Sequence, residues 1–350
     1  MIYKNNKLYF DGFNVDFLTR KFPTPIYCYS LKKINENISN LKDHFRKINP
    51  LICFAVKANP NISILKEIKK SNLGADVVSI GELMKVIKAG INPQKIVFSG
   101  VGKTSAEIEY AINKKILLIN AESKSEILEI ERIAREKKKI IDIGIRLNPN
   151  TDAKTLSQIS TGKKENKFGV DPKIFLKLVK YLKNSKNLNL KCLSVHIGSQ
   201  ILNHQPYQKM LNVVERIIKK SKYNFEYIDL GGGMGIDYSH KNSKLNLKKY
   251  SQGIQKFLKR NKSKIIFEPG RSIVGNAAIL ITKIIYIKKG YKKDFIILDA
   301  AMNDLIRPAL YGAKHKIIPS KKNKKILKKI IEFVGPICES TDRVATVKKF

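Results

Sequence analysis

Eight short β-branched runs, seven amphipathic stretches between them, and a polar residue or a glycine closing each run predict an α/β chain built on a (β/α)8 barrel of the TIM type. The segments before and after this alternation are also strand-like. They predict a second, all-β domain made from both termini, with the barrel over residues 31–275 and the β domain over 1–30 and 276–350.

Each element has its own warrant. Leu51–Lys57, "LICFAVK", is an apolar run that ends on a lysine. Lysine is seldom buried unless it is paired or chemically used, so the run ends either at the surface or by delivering an amine into a pocket. Ile62–Lys70 has helical spacing, and Leu73–Ser79 is the second strand, carrying Asp76 and Ser79 near its end. Ile80–Ala89 and Ser105–Asn113 flank the third strand, Lys95–Ser99. The fourth strand is Ile116–Asn120, followed by the helix Ser123–Lys137; the fifth, Ile141–Leu147, brings Arg146 and leads to the helix Pro172–Asn184. The sixth, Lys191–Ile197, ends in His196 followed by Gly198 and Ser199, and precedes the helix Pro206–Lys222. Glu226–Gly231 opens the triplet Gly231–Gly233, Leu247–Arg260 is helical, and Lys264–Glu268 runs into Pro269, Gly270 and Arg271. The flanks are β-rich, with turns at Asp11–Gly12 and at Pro23 and Pro25, and strand-like segments over Ile279–Phe350.

In such barrels the chemistry sits at the C-terminal ends of the strands, and phosphate sites lie in the loops after strands seven and eight. Those loops here are "DLGGGMG" and "EPGRS", where glycine lets backbone N–H groups approach an anion.

Composition narrows the classes. A chain of 350 residues with 43% hydrophobic content can bury a large core. Its first residues contain no continuous apolar stretch, and nowhere are about 18 apolar residues uninterrupted, so a soluble cytoplasmic protein with no membrane partner is expected. Cys28, Cys53, Cys192 and Cys338 are far apart with no CxxC spacing, which points away from a zinc site, any other metal centre and a disulfide framework. The formal charge of +39 invites a nucleic-acid reading. The lysines are instead spread among Asn and Ile along the whole chain, and the densest run, Ser320–Lys329, reads as a solvated face, so no nucleic-acid partner is expected.

A lysine amine, a phosphate cradle, a carboxylate and a histidine at one barrel mouth fit pyridoxal 5′-phosphate, whose ring acts as an electron sink. The ordered set "FAVKANPN", "GADVVSIGEL", "STGKKENKFGV", "SVHIGSQI", "DLGGGMGI", "EPGRSIVGNA", "RPALYGA" and "GPICES" resembles the diaminopimelate decarboxylase family, within the alanine-racemase-like group. The match runs from about residue 23 to 345.

The resemblance implies decarboxylation of meso-2,6-diaminopimelate to L-lysine. It implies that Lys57 carries the cofactor, that His196 stacks on its ring, and that Ser199, Gly232, Gly233 and the turn Glu268, Pro269, Gly270, Arg271 hold its phosphate and pyridine nitrogen. It further implies that Arg271, Arg307, Tyr311 and Glu339 meet a small-molecule substrate, and that Cys338 or Lys57 supplies a proton. Cys338 and Glu339 are expected from the partner subunit of a homodimer with shared sites. A second amino-acid group at the far end of a substrate calls for paired cations and an anion, which Arg271, Arg307 and Glu339 offer. The alternatives are a decarboxylase of arginine, ornithine or carboxynorspermidine, and a catalytically impaired cofactor-binding homologue. Asp76, Ser79, Ser99 and Arg146 are candidates for supporting contacts, and a buried structural thiol is the plain reading of Cys338.

Two departures from the family pattern stand out. Leu156 occupies a position where the family commonly has His, and the sequence stops at "DRVATVKKF", before a further tyrosine-bearing strand that the family carries. A fragment of a longer protein, or an incomplete β domain with compromised activity, is the expectation.

Overall fold

A computed structural model describes residues 1–153, 161–162, 166–238, 243–322 and 329–348. Leu156 and most of the lysine-rich run lie outside the described residues. The chain divides into two units, one of residues 33–236 and 243–276, the other of residues 1–32, 237–242 and 277–350.

In the first unit eight parallel strands close into a barrel, in chain order Leu51–Ala55, Gly74–Val77, Ile96–Phe98, Leu118–Ala121, Ile141–Leu147, Leu188–Val195, Tyr227–Asp229 and Lys264–Phe267. The eighth closes on the first through the pairs Ile266 with Leu51 and Phe267 with Ile52. Every expected strand is present. The hydrophobic runs are continuous because a parallel strand of this kind is covered on both faces.

The loops that lead from strand to helix end in capping residues, which is why the chain turns where it does. Asn61 accepts from the Ser63 N–H (2.9 Å), Ser79 from Glu82 (3.3 Å), Ser123 from Glu126 (3.1 Å) and Asp171 from Lys173 (2.7 Å), while Thr104 and Glu107 form a reciprocal capping box. Ser79 is thereby used as a cap. A helix absent from the sequence expectation, Leu31–Phe45, precedes the first strand. Its Phe45 packs against Phe267 and Tyr250, with ring centroids 4.7 and 5.8 Å away.

The second unit does join the two ends of the chain. Ile26–Tyr29 pairs antiparallel with Ala278–Ile281, and the Leu8 N–H donates to the Ser320 carbonyl (2.8 Å). The N-terminal residues also form a small antiparallel sheet, Ile2–Lys4, Lys7–Phe10 and Phe13–Asn14. Ile284–Lys288, Lys293–Leu298, Ile330–Val334 and Arg343–Val347 form a four-stranded sheet over a core of Ile296, Leu298, Ile331 and Phe333. Two short helices, Val15–Lys21 and Arg307–Tyr311, accompany these sheets.

Candidate active site

Lys57 lies just past the first barrel strand, on a single 3-10 turn, Val56–Ala58, where a continuation of the strand was expected. The turn is held from the eighth strand: the Ala55 N–H donates to the Pro269 carbonyl (3.1 Å), and a Cβ on Gly270 would stand 2.9 Å from the Ala58 Cβ and 3.1 Å from that of Ala55. Only glycine lets the turn after Glu268 lie against the Lys57 loop.

The Lys57 ammonium donates to Asp76 Oδ2 at 3.0 Å; 54% of the Lys57 side chain is accessible, whereas Asp76 is fully buried. The lysine is therefore accessible, with its ammonium fixed on a buried carboxylate. Crowding by protein pulls its pKa down, but the charges of Asp76 and Glu268 and the hydrogen bond to Asp76 outweigh this, and the net shift is upward. Among the described residues neither Asp76 Oδ1 nor Asn120 Oδ1 has a hydrogen-bond partner, although both atoms are buried.

Beneath Lys57 lies a polar network that strand periodicity does not reveal. Asp229, fully buried at the end of the seventh strand, accepts from the Gly231 N–H (2.9 Å), Asn120 Nδ2 (3.0 Å) and Ser194 Oγ (3.1 Å). Glu268 accepts from Ser99 Oγ (3.3 Å), which in turn accepts from Asn120 Nδ2 (3.4 Å), so that Asn120 and Ser99 link the two buried carboxyls. Burial first, then the charges of Asp229 and Asp76, pushes the Glu268 carboxyl well above the usual carboxylate range.

The glycine loop is pressed against its neighbours. Gly231 adopts φ +63° and Gly233 φ +82°, and a Cβ on Gly232 would stand 2.1 Å from the Glu268 carbonyl oxygen. The Gly232 N–H donates to His196 Nδ1 (3.2 Å). Burial, together with the charges of Arg146 and Lys57, holds His196 well below its ordinary pKa, so the ring is neutral and its proton sits on Nε2. On the same side, Ser199 Oγ lies 3.4 Å from Arg271 Nε and 3.3 Å from Nη2. The adjacent Ser272 Oγ is buried with no hydrogen-bond partner among the described residues, an atom that sequence reasoning passed over.

A second charged array braces the loops after strands three to five. Arg146 Nη1 donates to Glu122 Oε1 (2.9 Å), and the Glu122 carboxylate also accepts from the Gly100 (3.1 Å) and Gly169 (2.9 Å) N–H groups. Lys103, with 1% of its side chain accessible, donates to the carbonyls of Gly100 (2.6 Å) and Asn120 (2.7 Å) and to Glu126 (2.7 Å).

Lys57, His196, Ser199, Gly232, Gly233, Glu268, Pro269, Gly270 and Arg271 thus belong to one end of the barrel. Arg307, Tyr311, Cys338 and Glu339 belong to the other unit. There Arg307 lies over the Tyr238 ring (4.4 Å to the centroid) and its Nη1 is 3.1 Å from His315 Nε2. Cys338 and Glu339 sit in an exposed loop whose ends are tied by Asp342, which accepts from the Met302 (2.7 Å) and Ile337 (2.9 Å) N–H groups. In the single chain Cys338 is exposed, which counts against a buried structural thiol.

These residues fit pyridoxal 5′-phosphate. An accessible amine faces the mouth, a glycine loop presents backbone where no side chain fits, and Ser199, Arg271 and the unpartnered Ser272 hydroxyl provide anion donors.

Comparison with known proteins agrees. Residues 31–275 match the family model "Pyridoxal-dependent decarboxylase, pyridoxal binding domain". The diaminopimelate decarboxylase of Aquifex aeolicus is 41% identical over 98% of this chain and 82% of its own length. Among solved structures, that of the Helicobacter pylori diaminopimelate decarboxylase complexed with L-lysine superposes with a TM-score of 0.89 at 42% identity, covering 95% of this chain and 85% of the other. The diaminopimelate decarboxylase of M. jannaschii in co-complex with L-lysine gives 0.91 at 32% identity, covering 99% and 84%. On fold, site chemistry and kinship together, this chain belongs to the diaminopimelate decarboxylase family of pyridoxal-dependent enzymes.

Proposed function

We propose that this protein is a pyridoxal 5′-phosphate-dependent carboxy-lyase that converts meso-2,6-diaminopimelate to L-lysine and carbon dioxide, the last step of lysine synthesis. The observation that carries the reading is the Lys57 amine held over buried Asp76 at the same barrel end as Glu268, His196 and the Ser199 and Arg271 pair. Bound there, the cofactor supplies an electron sink for the pair left when the bond to a departing carboxylate breaks.

The chain's own residues do the rest. Lys57 would hold the cofactor's aldehyde through its amine. Asp76, by favouring the charged amine, holds a proton at Lys57 Nζ in the cofactor-free chain. Neutral His196 can lie against a ring without adding a second positive charge. Ser199, Gly232, Gly233 and Arg271 would hold the phosphate, and Glu268 would serve the ring nitrogen. Arg271, Arg307, Tyr311 and Glu339 would recognise the distal zwitterion, which distinguishes this substrate from ornithine or arginine, since a bidentate Arg to carboxylate contact has no counterpart in a diamine precursor.

The test is the rate of carbon dioxide release. Meso-diaminopimelate is expected to exceed ornithine and arginine in kcat/KM by at least about 100-fold, the discrimination expected when a site built for polar groups meets a ligand lacking them. The reverse ranking would reassign the substrate.

Cys338 and Glu339 are proposed to complete the site of a partner subunit in a homodimer, with Cys338 as a proton donor. Pro336–Thr341 is an uninterrupted exposed stretch carrying Ile337, which supports an interface there. Lys57→Ala and Cys338→Ala proteins, each inactive alone, are expected to regain activity on subunit exchange, up to about half that of a wild-type dimer per heterodimer, because one of its two sites is intact. Exchange shown by a fluorescent label without returning activity would place Cys338 outside a shared site.

A further inference from the structure

Asp229 has no part in the scheme above, yet it lies at the centre of the barrel's polar interior. Asn120 Nδ2 reaches both Asp229 Oδ2 (3.0 Å) and Ser99 Oγ (3.4 Å), and Ser99 Oγ donates to Glu268 Oε1 (3.3 Å), so two buried carboxyls share one network; away from water they cannot both be ionised without strong repulsion, and the pair holds one proton. The donors decide where. Three converge on Asp229, from Gly231 at 2.9 Å, Asn120 at 3.0 Å and Ser194 at 3.1 Å, against one on Glu268, from Ser99 at 3.3 Å. Hydrogen bonds donated to a carboxylate favour its charged form. Asn120 is aimed at Asp229 through space kept by Gly144, where a Cβ would stand 2.1 Å from Asn120 Oδ1.

We propose that Asp229 is a positioning residue that turns the Glu268 carboxyl and keeps on it the single proton of the pair. The inference rests on the reading of Glu268 as the partner of the cofactor's ring nitrogen. A carboxylic acid that already holds its proton can pass it to a nitrogen facing it. The O–H bond of Glu268 is exchanged for an N–H bond, and the net charge of pair plus ring stays at one negative. The groups that face the pair are Asp76 from the second strand and Lys57 from the first, whose ammonium bonds Asp76 and so leaves the Asp229 and Glu268 proton in place. Burial raises both carboxyls; hydrogen bonding, including that from the Gly231 N–H, offsets part of the rise at Asp229, whereas at Glu268 the charges of Asp229 and Asp76 add to it, so Glu268 is raised further.

The experiment is infrared difference spectroscopy of the full chain, freed of cofactor, at neutral pH. In wild type the stretch of a protonated carboxyl is expected to shift with ¹³C-glutamate labelling, to stay put with ¹³C-aspartate labelling, and to vanish in Glu268→Gln. Asp229→Asn, which removes the neighbouring charge, should lose the band. Ser194→Ala, which removes one donor from Asp229, should move part of it to the aspartate label. A wild-type band that follows aspartate, or no band sensitive to Glu268→Gln, overturns the proposal, as does an unchanged band in Asp229→Asn. If Asp229→Asn does not fold, the labelled wild type and Ser194→Ala decide. Failure of the cofactor reading would show separately, as a Glu268→Gln protein that binds pyridoxal 5′-phosphate with unaltered affinity and absorption spectrum while the wild-type band is present.

Discussion

Replacing Lys57 by alanine lowers kcat for carbon dioxide release by at least about a thousandfold, in the middle of the range that a positioned acid–base group contributes, and lets the cofactor dialyse away. The amine at the barrel mouth is the group expected to bind the cofactor covalently and to manage the proton that follows. Arg146 and Arg271 are guanidinium groups, which do not lose a proton and so cannot substitute for it. Thermal melting should show the variant folded, because more than half of the Lys57 side chain is accessible to solvent and its removal opens no core cavity. A variant that keeps kcat within tenfold would remove Lys57 from the chemistry. Asp76→Asn gives the complementary result. Burial lowers the Lys57 pKa and Asp76 is the first of the groups that raise it, so loss of the carboxylate moves the pKa down, which ¹³C resonances of the lysine ε-carbon would register.

Lys103→Met destabilises the protein by about 3–5 kcal/mol, the effect of breaking a buried ion pair by removing one partner. The ammonium is buried, and its three hydrogen bonds of 2.6 to 2.7 Å go to Gly100, Asn120 and Glu126. Methionine fills much of the volume but leaves two carbonyls and a carboxylate without their donor. For a unit of this size the loss corresponds to a fall in Tm of roughly 6–20 °C. Because the Glu126 carboxylate also accepts from the Glu122 N–H (2.8 Å), and Glu122 holds Arg146, kcat should fall as well, in protein that is still folded at the assay temperature. Lys264→Met, at a side chain 69% accessible, should leave Tm unchanged. Equal effects of the two substitutions would show that the Lys103 cluster carries no special stability.

The amino-acid sequence by itself determined the barrel. Eight runs and their helices were legible because a parallel strand covered on both faces must be apolar along its length, and because capping residues such as Asn61, Ser79, Thr104 and Ser123 mark where each helix begins. These are local signals, and so is the position of Lys57 near the end of its run. The ordered motifs added the family, since their spacing is written along the chain. What the tertiary structure alone decided is which distant residues meet. Asp76, Asp229 and Glu268 are separated by up to 192 positions and converge only because the eighth strand closes on the first. No periodicity distinguishes an aspartate that faces another carboxyl from one that faces water. Lys103 is one residue among 68 lysines and arginines. Its burial follows from where the third and fourth loops and Glu126 come together, and burial depends on the closed barrel, whereas charge and spacing are properties of the chain.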